Sequence, residues 1–523
     1  MYRVVKTCGE GVFLPKCVCA RAWCSSSPKP FHEIPRIPAL PLIGSSWIYF
    51  PLVGRYDVRD SSQAAWDIHR RMGPIAAEQL PGRRVLVRLF SADDIRTLYR
   101  EEGRTPRHVG ALPLKLYHIS RKGKFFANDG LLHAQGEEWR RIRTQTHSSV
   151  SDNRTIRAYA EAMARISDDT VRLIASICDD VGEVEDCHLI MRRWALESII
   201  FLAASKRMGV LKIDLDPNSE AACAVNAIND VFSMLNTLTT KFPYYRYLPA
   251  PLYKRFTQRT DEALGYFFPL VLAAAEETLS TKSTQDHNTL LANLQRVGKL
   301  NQMEVFSFIA DFVMAGAETT AAVGTYCLYC LAMNPQVQEK ARKEVFSVMS
   351  ERGPSGYSQL QYVKACIKET LRFYPVVSGV HRKLDHDVVM SGYVVPKNTV
   401  LRAEFFVSGR LEENFTQASE FLPERWIRCP TGEEERREWT LHPFASLPFS
   451  TGPRMCIGRR IAEMELCALL AQVLLNFRVE NLHGDIGFRS QLTSRPKRPA
   501  RFRFTELQAT DRPPQSSFLA GSP

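Results

Sequence analysis

The chain has 523 residues, 45% hydrophobic and 24% charged, a balance that supports a large buried core and excludes a broadly disordered protein. Its 13 cysteines are odd in number and lack paired spacing, which argues against a secreted disulfide framework and for a reducing compartment. The net charge is +12, of which Arg3, Lys6, Lys16, Arg21 and Lys29, opposed only by Glu10, place +4 in the first 30 residues.

Acid-poor and serine-containing (Ser25, Ser26, Ser27), residues 1–30 read as an organellar transit peptide, with a solvated tail as the alternative. No stretch reaches the ~20 consecutive apolar residues expected of a bilayer-crossing helix. No strong linker divides the remainder of the chain, so one folded unit is expected over residues 31–505, entered through Pro35, Pro38 and Pro41. A flexible tail, 506–523, is expected after it. Arg84 to Phe90 alternates apolar and basic residues like a strand, and Ser91-Ala92-Asp93-Asp94 then caps a helix. In Trp139-Arg140-Arg141-Ile142-Arg143 the first and last residues share a helix face.

Lys241 to Phe256 mixes Phe242, Tyr244, Tyr245, Tyr247 and Tyr253 with lysine, arginine and proline. That mixture suits a monotopic contact with an anionic bilayer, and equally an interhelix loop. Thr281 to Asn288 and Cys429 to Glu438 read as polar loops. Between these loops, Gln302 to Met333 is apolar at helical period, roughly 48 Å long at ~1.5 Å per residue, and stopped by Asn334-Pro335. Cys327 and Cys330 lie inside this helix, not at a strand-to-helix turn, and read as core packing. Ala315-Gly316-Ala317-Glu318-Thr319-Thr320 interrupts the apolar run. Glycine costs about 1 kcal/mol in a helix interior and an unpaired buried carboxylate costs more, so the break marks either a site or a kink. Read as a site, small residues at 315 and 316 admit a ligand to the backbone. Thr319 draws a carbonyl out of the ladder, and Glu318 beside it makes a proton relay.

Lys364 and Lys368 lie four apart on the next helix, which also carries Glu369 and Arg372. The decisive run is Phe449-Ser450-Thr451-Gly452-Pro453-Arg454-Met455-Cys456-Ile457-Gly458, followed by Arg459-Arg460 and an amphipathic stretch to Phe477. A cysteine at a helix start meets N–H groups and a dipole that favour an anion, a setting that lowers a thiol pKa. One thiolate with no second ligand at zinc spacing points to the axial position of a haem iron. Gly452 permits a tight turn, and Gly458 a close approach to a flat cofactor.

Phe-x-x-Gly-x-Arg-x-Cys-x-Gly resembles the haem-binding loop of the cytochrome P450 family, although Ser450 stands where many members carry glycine. The resemblance covers about residues 31–505 and implies a mainly α fold with small β-sheets, haem b lying between the long central helix and the cysteine-loop helix. It implies Cys456 as the iron ligand, with Phe449 packed near it and the Gly452 and Gly458 region around the sulfur. Trp139, Arg143, Arg382 and Arg454 then face the haem propionates. Glu369, Arg372 and the Arg425 of Pro423-Glu424-Arg425-Trp426 form a buried structural triad. Glu318 and Thr319 deliver the protons consumed when dioxygen is split. Phe308 to Ala315 and Val376 to Val380 line the substrate pocket.

Lys364, Lys368, Arg459 and Arg460 resemble the mitochondrial branch, whose members take electrons from an acidic ferredoxin served by a reductase; a solvated basic face is the plainer reading of such a cluster. Dioxygen, a lipophilic substrate and peripheral contact with the matrix side of the inner membrane complete the expected partners, with no nucleic acid. Steroid or sterol hydroxylation is the first expectation and mitochondrial oxidation of foreign compounds the second. A non-oxidative thiolate-haem isomerase or dehydratase and a non-catalytic haem sensor are readings of other classes.

Overall fold

The computed structural model describes residues 27–50, 52–81, 84–240, 242–280, 290–427 and 440–508. The expectations for the leader up to residue 26, for the loops 281–288 and 429–438, for Lys241 and for the tail after 508 lie outside the described residues. The architecture is mainly helical with small sheets.

Its axis is the helix Gln302–Met333, with the bounds predicted. Asn301 accepts from the Glu304 N–H, and the Glu304 carboxylate accepts from the Asn301 N–H, a reciprocal cap that satisfies two end donors. Asn334 ends the helix and Pro335 opens the next, Pro335–Arg352. By length and composition the central helix could cross a bilayer, contrary to expectation; 78% of its most apolar stretch is buried in protein, so it is a core element. Cys327 and Cys330 are buried in it, as expected.

The central helix packs on the helices Cys187–Ala204, Gln361–Phe373 and Arg459–Asn476. The last is not amphipathic. Nearly every residue from Ile461 to Leu474 is buried, because Asn153–Ile177, Pro335–Arg352 and the central helix enclose it. Burial without a charge partner pushes the Glu465 carboxyl in this helix up to about 8.

A five-stranded sheet flanks the helices in the order Ile75–Gln79, Val85–Leu89, Val400–Ala403, Val380–Lys383, Arg107–His108. Val85–Leu89 pairs in parallel with Val400–Ala403, Leu86 opposite Val400, and the other pairs are antiparallel. The apolar/basic alternation of this strand does not mean one wet face. Arg88 is buried between Glu78 and Glu404, donating to both carboxylates. Ser91 caps the next helix, Ala92–Glu101, accepting from the Asp94 N–H. At the start of the described chain, Lys29 forms a β-bridge with Tyr393, donating its N–H to Gly392 O at 2.8 Å.

Candidate active site

Cys456 lies where a tight loop meets the helix Arg459–Asn476. Gly452 makes the turn with φ +74°, and the Cys456 N–H donates to Phe449 O at 2.9 Å, folding the loop back on itself. The N–H groups of Gly458 and Arg459 face the sulfur. The thiol is nevertheless shifted up, not down as the sequence suggested: burial dominates, and those N–H groups with the charges of Arg143 and Arg459 only offset it. A metal cation at the sulfur would favour the thiolate. Protein surrounds the residue in depth, yet its side chain is open to solvent from one side. Phe449 packs against the main core with the Arg459 guanidinium 5.8 Å from its ring. A Cβ on Gly458 would meet Phe312 at 3.7 Å, an ordinary contact, so no neighbour among the described residues requires glycine there.

A cationic cluster adjoins the loop. Arg454 donates to Pro106 O at 2.9 Å and Ala134 O at 2.7 Å, and its guanidinium lies 4.2 Å from the ring of buried Trp139. Arg382 is cross-strand from His108 and buried; its Nε donates to Glu102 Oε2 at 2.8 Å. Glu102 Oε1 has no hydrogen-bond partner among the described residues, and a Cβ on Gly452 would come within 2.6 Å of it. Glycine at 452 therefore also makes room for this carboxylate. Burial, with Arg382 and Arg143 nearby, pulls Arg454 down to about 10, so it stays charged at neutral pH. Burial and Arg382 hold His108 down at about 4, so it is neutral. The Arg143 side chain lines, with Arg104, Trp139, Gly452, Pro453 and Met455, a recess of about 400 Å³.

On the central helix, Asp311, Ala315, Gly316 and Thr319 are the only residues between Val305 and Ala332 that are not buried. The spacing of 311, 315 and 319 puts them on one face, and Ala315 is exposed in mid-helix, so protein does not cover the helix there. Thr319 Oγ1 donates to Ala315 O at 2.8 Å, as expected. Of the predicted pocket segment, Phe308 to Ala310 and Phe312 to Met314 are buried in packing, and Val376 and Ser378 likewise. Gly316 has a neighbour the sequence did not disclose: a Cβ there would lie 2.7 Å from Ile199 Cδ1, so glycine admits the neighbouring helix.

Glu318 does not pair with Thr319. Successive side chains leave a helix ~100° apart, and Glu318, 1% exposed, turns to the helix Cys187–Ala204. Arg192 there donates from Nε and from a terminal nitrogen to its two oxygens, each at 2.9 Å. A void of about 10 Å³, the size of one water, lies against Arg192, Asn229 and Glu318.

The three residues expected to form a triad come together. Arg372 donates to Glu369 at 3.0 and 2.7 Å, Arg425 Nε to Glu369 Oε1 at 3.0 Å, and Trp426 adds a 2.8 Å bond to Oε2. Arg372 also donates to Gly409 O, Ala418 O and Glu420 O, tying the segment after residue 404 to the helix Gln361–Phe373.

Comparison with known proteins decides what this arrangement belongs to. The family model for Cytochrome P450 matches residues 39–501. The chain belongs to the cytochrome P450 family. It is 31% identical over 490 residues to "Probable cytochrome P450 301a1, mitochondrial" of Drosophila melanogaster, covering 91% of this chain and 87% of the relative. It is 32% identical over 501 residues to "Probable cytochrome P450 12a5, mitochondrial" of the same species, covering 92% and 91%. It is 30% identical over 420 residues to "1,25-dihydroxyvitamin D(3) 24-hydroxylase, mitochondrial" of Mus musculus, covering 79% and 77%.

As a P450 the chain is a monooxygenase, and the family implies a haem iron ligated by a cysteine thiolate. The described residues fit that group. Cys456 and Ala315 are both open to solvent inside an otherwise packed molecule. In the adjoining cluster Arg382 and Arg454 face one carboxylate, Glu102, while Arg143 faces the Cys456 sulfur, so the cluster is net positive, as the propionates of a haem require. Glu102 and Arg192 were missed in the sequence. Each is an ordinary charged residue until a distant segment folds against it, and no local pattern announces either.

The basic face around the P450 cysteine loop is less free than expected. Arg459 is paired with Glu463 at 2.9 Å, and Arg460 donates to Ser151 O and Asn153 Oδ1 at 2.9 and 3.0 Å. Lys364 donates to Ser358 O at 2.5 Å. Lys368 is exposed and forms no ion pair with a described residue.

Proposed function

We propose that this P450 hydroxylates a lipophilic substrate of steroid or sterol type in mitochondria, with dioxygen and electrons from an acidic ferredoxin. The observation that carries the reading is an open Cys456 together with an open Ala315–Thr319 face, beside a net positive cluster of Arg143, Arg382 and Arg454. Cys456 holds the iron, and Trp139, Arg143, Arg382 and Arg454 hold the propionates. Bound haem supplies the activation of dioxygen, helped by the electron-donating thiolate.

The chain does the rest. The Ala315 face leaves space for a flat apolar substrate. Thr319, its O–H donating a hydrogen bond to Ala315 O, keeps its lone pairs to accept from a water on this face. Glu318 collects protons on the opposite side, next to the water-sized void, and must leave Arg192 to pass them on. The names of the relatives support both the organelle and the secosteroid class of substrate. Exposed Phe242, Arg246, Tyr247 and Leu248 support a peripheral membrane contact through which such a substrate enters.

The test is reconstitution with a mitochondrial-type ferredoxin and its reductase, preceded by the spectrum of the reduced carbon-monoxide complex. A thiolate-type band, and product formed only with both ferredoxin and dioxygen, are the expected results. Turnover without either one would replace hydroxylation by an isomerase or dehydratase chemistry. Binding spectra with steroids and with insecticides then separate a biosynthetic from a detoxifying role.

A further inference from the structure

Ser450 is the one residue of the cysteine loop whose backbone is out of keeping with its side chain. Its φ is +60°, a left-handed conformation that glycine adopts freely and a residue with a Cβ only at a cost. A serine in that place is explained by what its hydroxyl does. Ser450 Oγ and Tyr99 Oη share a 2.7 Å hydrogen bond across 351 residues of sequence. Tyr99 is 8% exposed, and burial pushes its phenol up to about 12, so it remains a neutral hydrogen-bonding group.

Tyr99 belongs to the last turn of the helix Ala92–Glu101, and Glu102 follows at its end. The same helix end therefore meets the cysteine loop twice, at Ser450 through Tyr99 and at Gly452 through Glu102. It also holds Arg382, whose Nε is bonded to Glu102 and whose guanidinium lies 5.7 Å from the Tyr99 ring. Six residues beyond Ser450 the loop presents Cys456, after folding back through the Cys456–Phe449 backbone bond. One short segment thus touches the thiolate loop and the propionate arginines at once.

We propose that the Tyr99–Ser450 hydrogen bond is a positioning device, fixing the loop that carries Cys456 in register with Arg382 and so fixing how the thiolate is offered to iron. Tyr99 and Ser450 act through Cys456 and Arg382, and the strain at Ser450 is retained for that purpose. This inference rests on the haem-thiolate reading above.

The experiment uses the full-length holoenzyme as wild type, Tyr99→Phe, Ser450→Gly and the double variant. Three quantities are measured: the rate of haem loss to excess apomyoglobin, the fraction of the reduced carbon-monoxide complex with a thiolate-type band, and the ferric/ferrous reduction potential. Each single change is expected to speed haem loss about two- to tenfold, the range set by the net worth of one hydrogen bond. Each should also shift the potential in the same direction, and the double variant should go no further than either single. In Ser450→Gly the relaxed backbone offsets the bond lost by Tyr99, so thermal stability should stay near wild type, and this variant keeps the test open if Tyr99→Phe folds poorly. Wild-type haem loss and potential in Ser450→Gly, or additive effects in the double variant, would overturn the proposal. Absence of the thiolate band in the wild type would instead overturn the reading beneath it.

Discussion

Arg192 and Glu318 meet fork to fork, two nitrogens on two oxygens at 2.9 Å each, with the carboxylate almost wholly buried. Removing one partner of such a pair strands the other, which costs about 3–5 kcal/mol. Arg192→Met is expected to lower the unfolding midpoint in urea accordingly. Glu318→Gln keeps the shape and loses the proton carrier, so turnover should fall by roughly a hundredfold while the carbon-monoxide spectrum stays unchanged.

Gly316 and Ile199 give a second test of how the two helices fit. A methyl at 316 would overlap the Ile199 side chain. Overpacking costs about 1–3 kcal/mol, against about 1 kcal/mol of helix propensity regained, so Gly316→Ala should be neutral to modestly destabilising. Ile199→Ala on the same background should recover part of the loss. A simple sum of the two single effects in thermal melts would refute the contact.

These two cases show what the sequence could and could not disclose. The bounds of Gln302–Met333, the Ser91 cap and the cysteine loop are local patterns of period, capping and turn chemistry, and each is found where the residues place it. Gly316 also stood out in the sequence, but its purpose depends on Ile199, which is contributed by another helix. The same holds for Arg192 facing Glu318 and Glu102 facing Arg382. The helix Arg459–Asn476 misled because helices on several sides bury polar positions such as Glu465 and Gln472 that a two-sided pattern would leave wet.

The electron-donor face yields a contrast between two cations. Lys368 is exposed and without an ion pair to a described residue, whereas Arg459 is already neutralised by Glu463. Lys368→Glu is expected to raise the ferredoxin concentration for half-maximal turnover several-fold and to flatten its salt dependence, with haem content unchanged. Arg459→Gln should do less. Equal ferredoxin dependence in wild type and Lys368→Glu would remove this surface from the docking site.

Membrane contact is best probed at the residues that face outward. Phe242, Tyr247 and Leu248 are 60%, 69% and 63% exposed. Tyr245, which the sequence placed among the contact residues, is buried and stacked on Tyr253 at 5.2 Å, so serine there would open the core instead. Replacing Phe242, Tyr247 and Leu248 with Ser should weaken flotation with anionic liposomes and leave the thermal midpoint in place.

Buried histidines make the protein's stability depend on pH. Burial holds the pKa of His133, His188 and His381 well below the ordinary value of 6.5, and that of His108 at about 4. Below pH 6.5 the unfolded chain therefore takes up protons that the native state refuses, and stability falls as pH drops toward 4, by up to ~1.4 kcal/mol per pH unit for each histidine. Glu465 acts oppositely, since its raised pKa makes the native state keep a proton between 4.5 and about 8. Buried Asp94, Glu102 and Asp311, also raised by burial, act with Glu465, so the histidine contribution is read by difference: the gain in urea midpoint from pH 5 to pH 7 should be smaller in His188→Gln than in the wild type.

The parallel pairing of Val85–Leu89 with Val400–Ala403 has a consequence for how the molecule is made. Until the ribosome has delivered residue 403, the earlier strand has one bare edge, a template for the wrong neighbour. This sheet therefore closes only after about three quarters of the polypeptide has been made, and its first two strands are joined before their central neighbour exists.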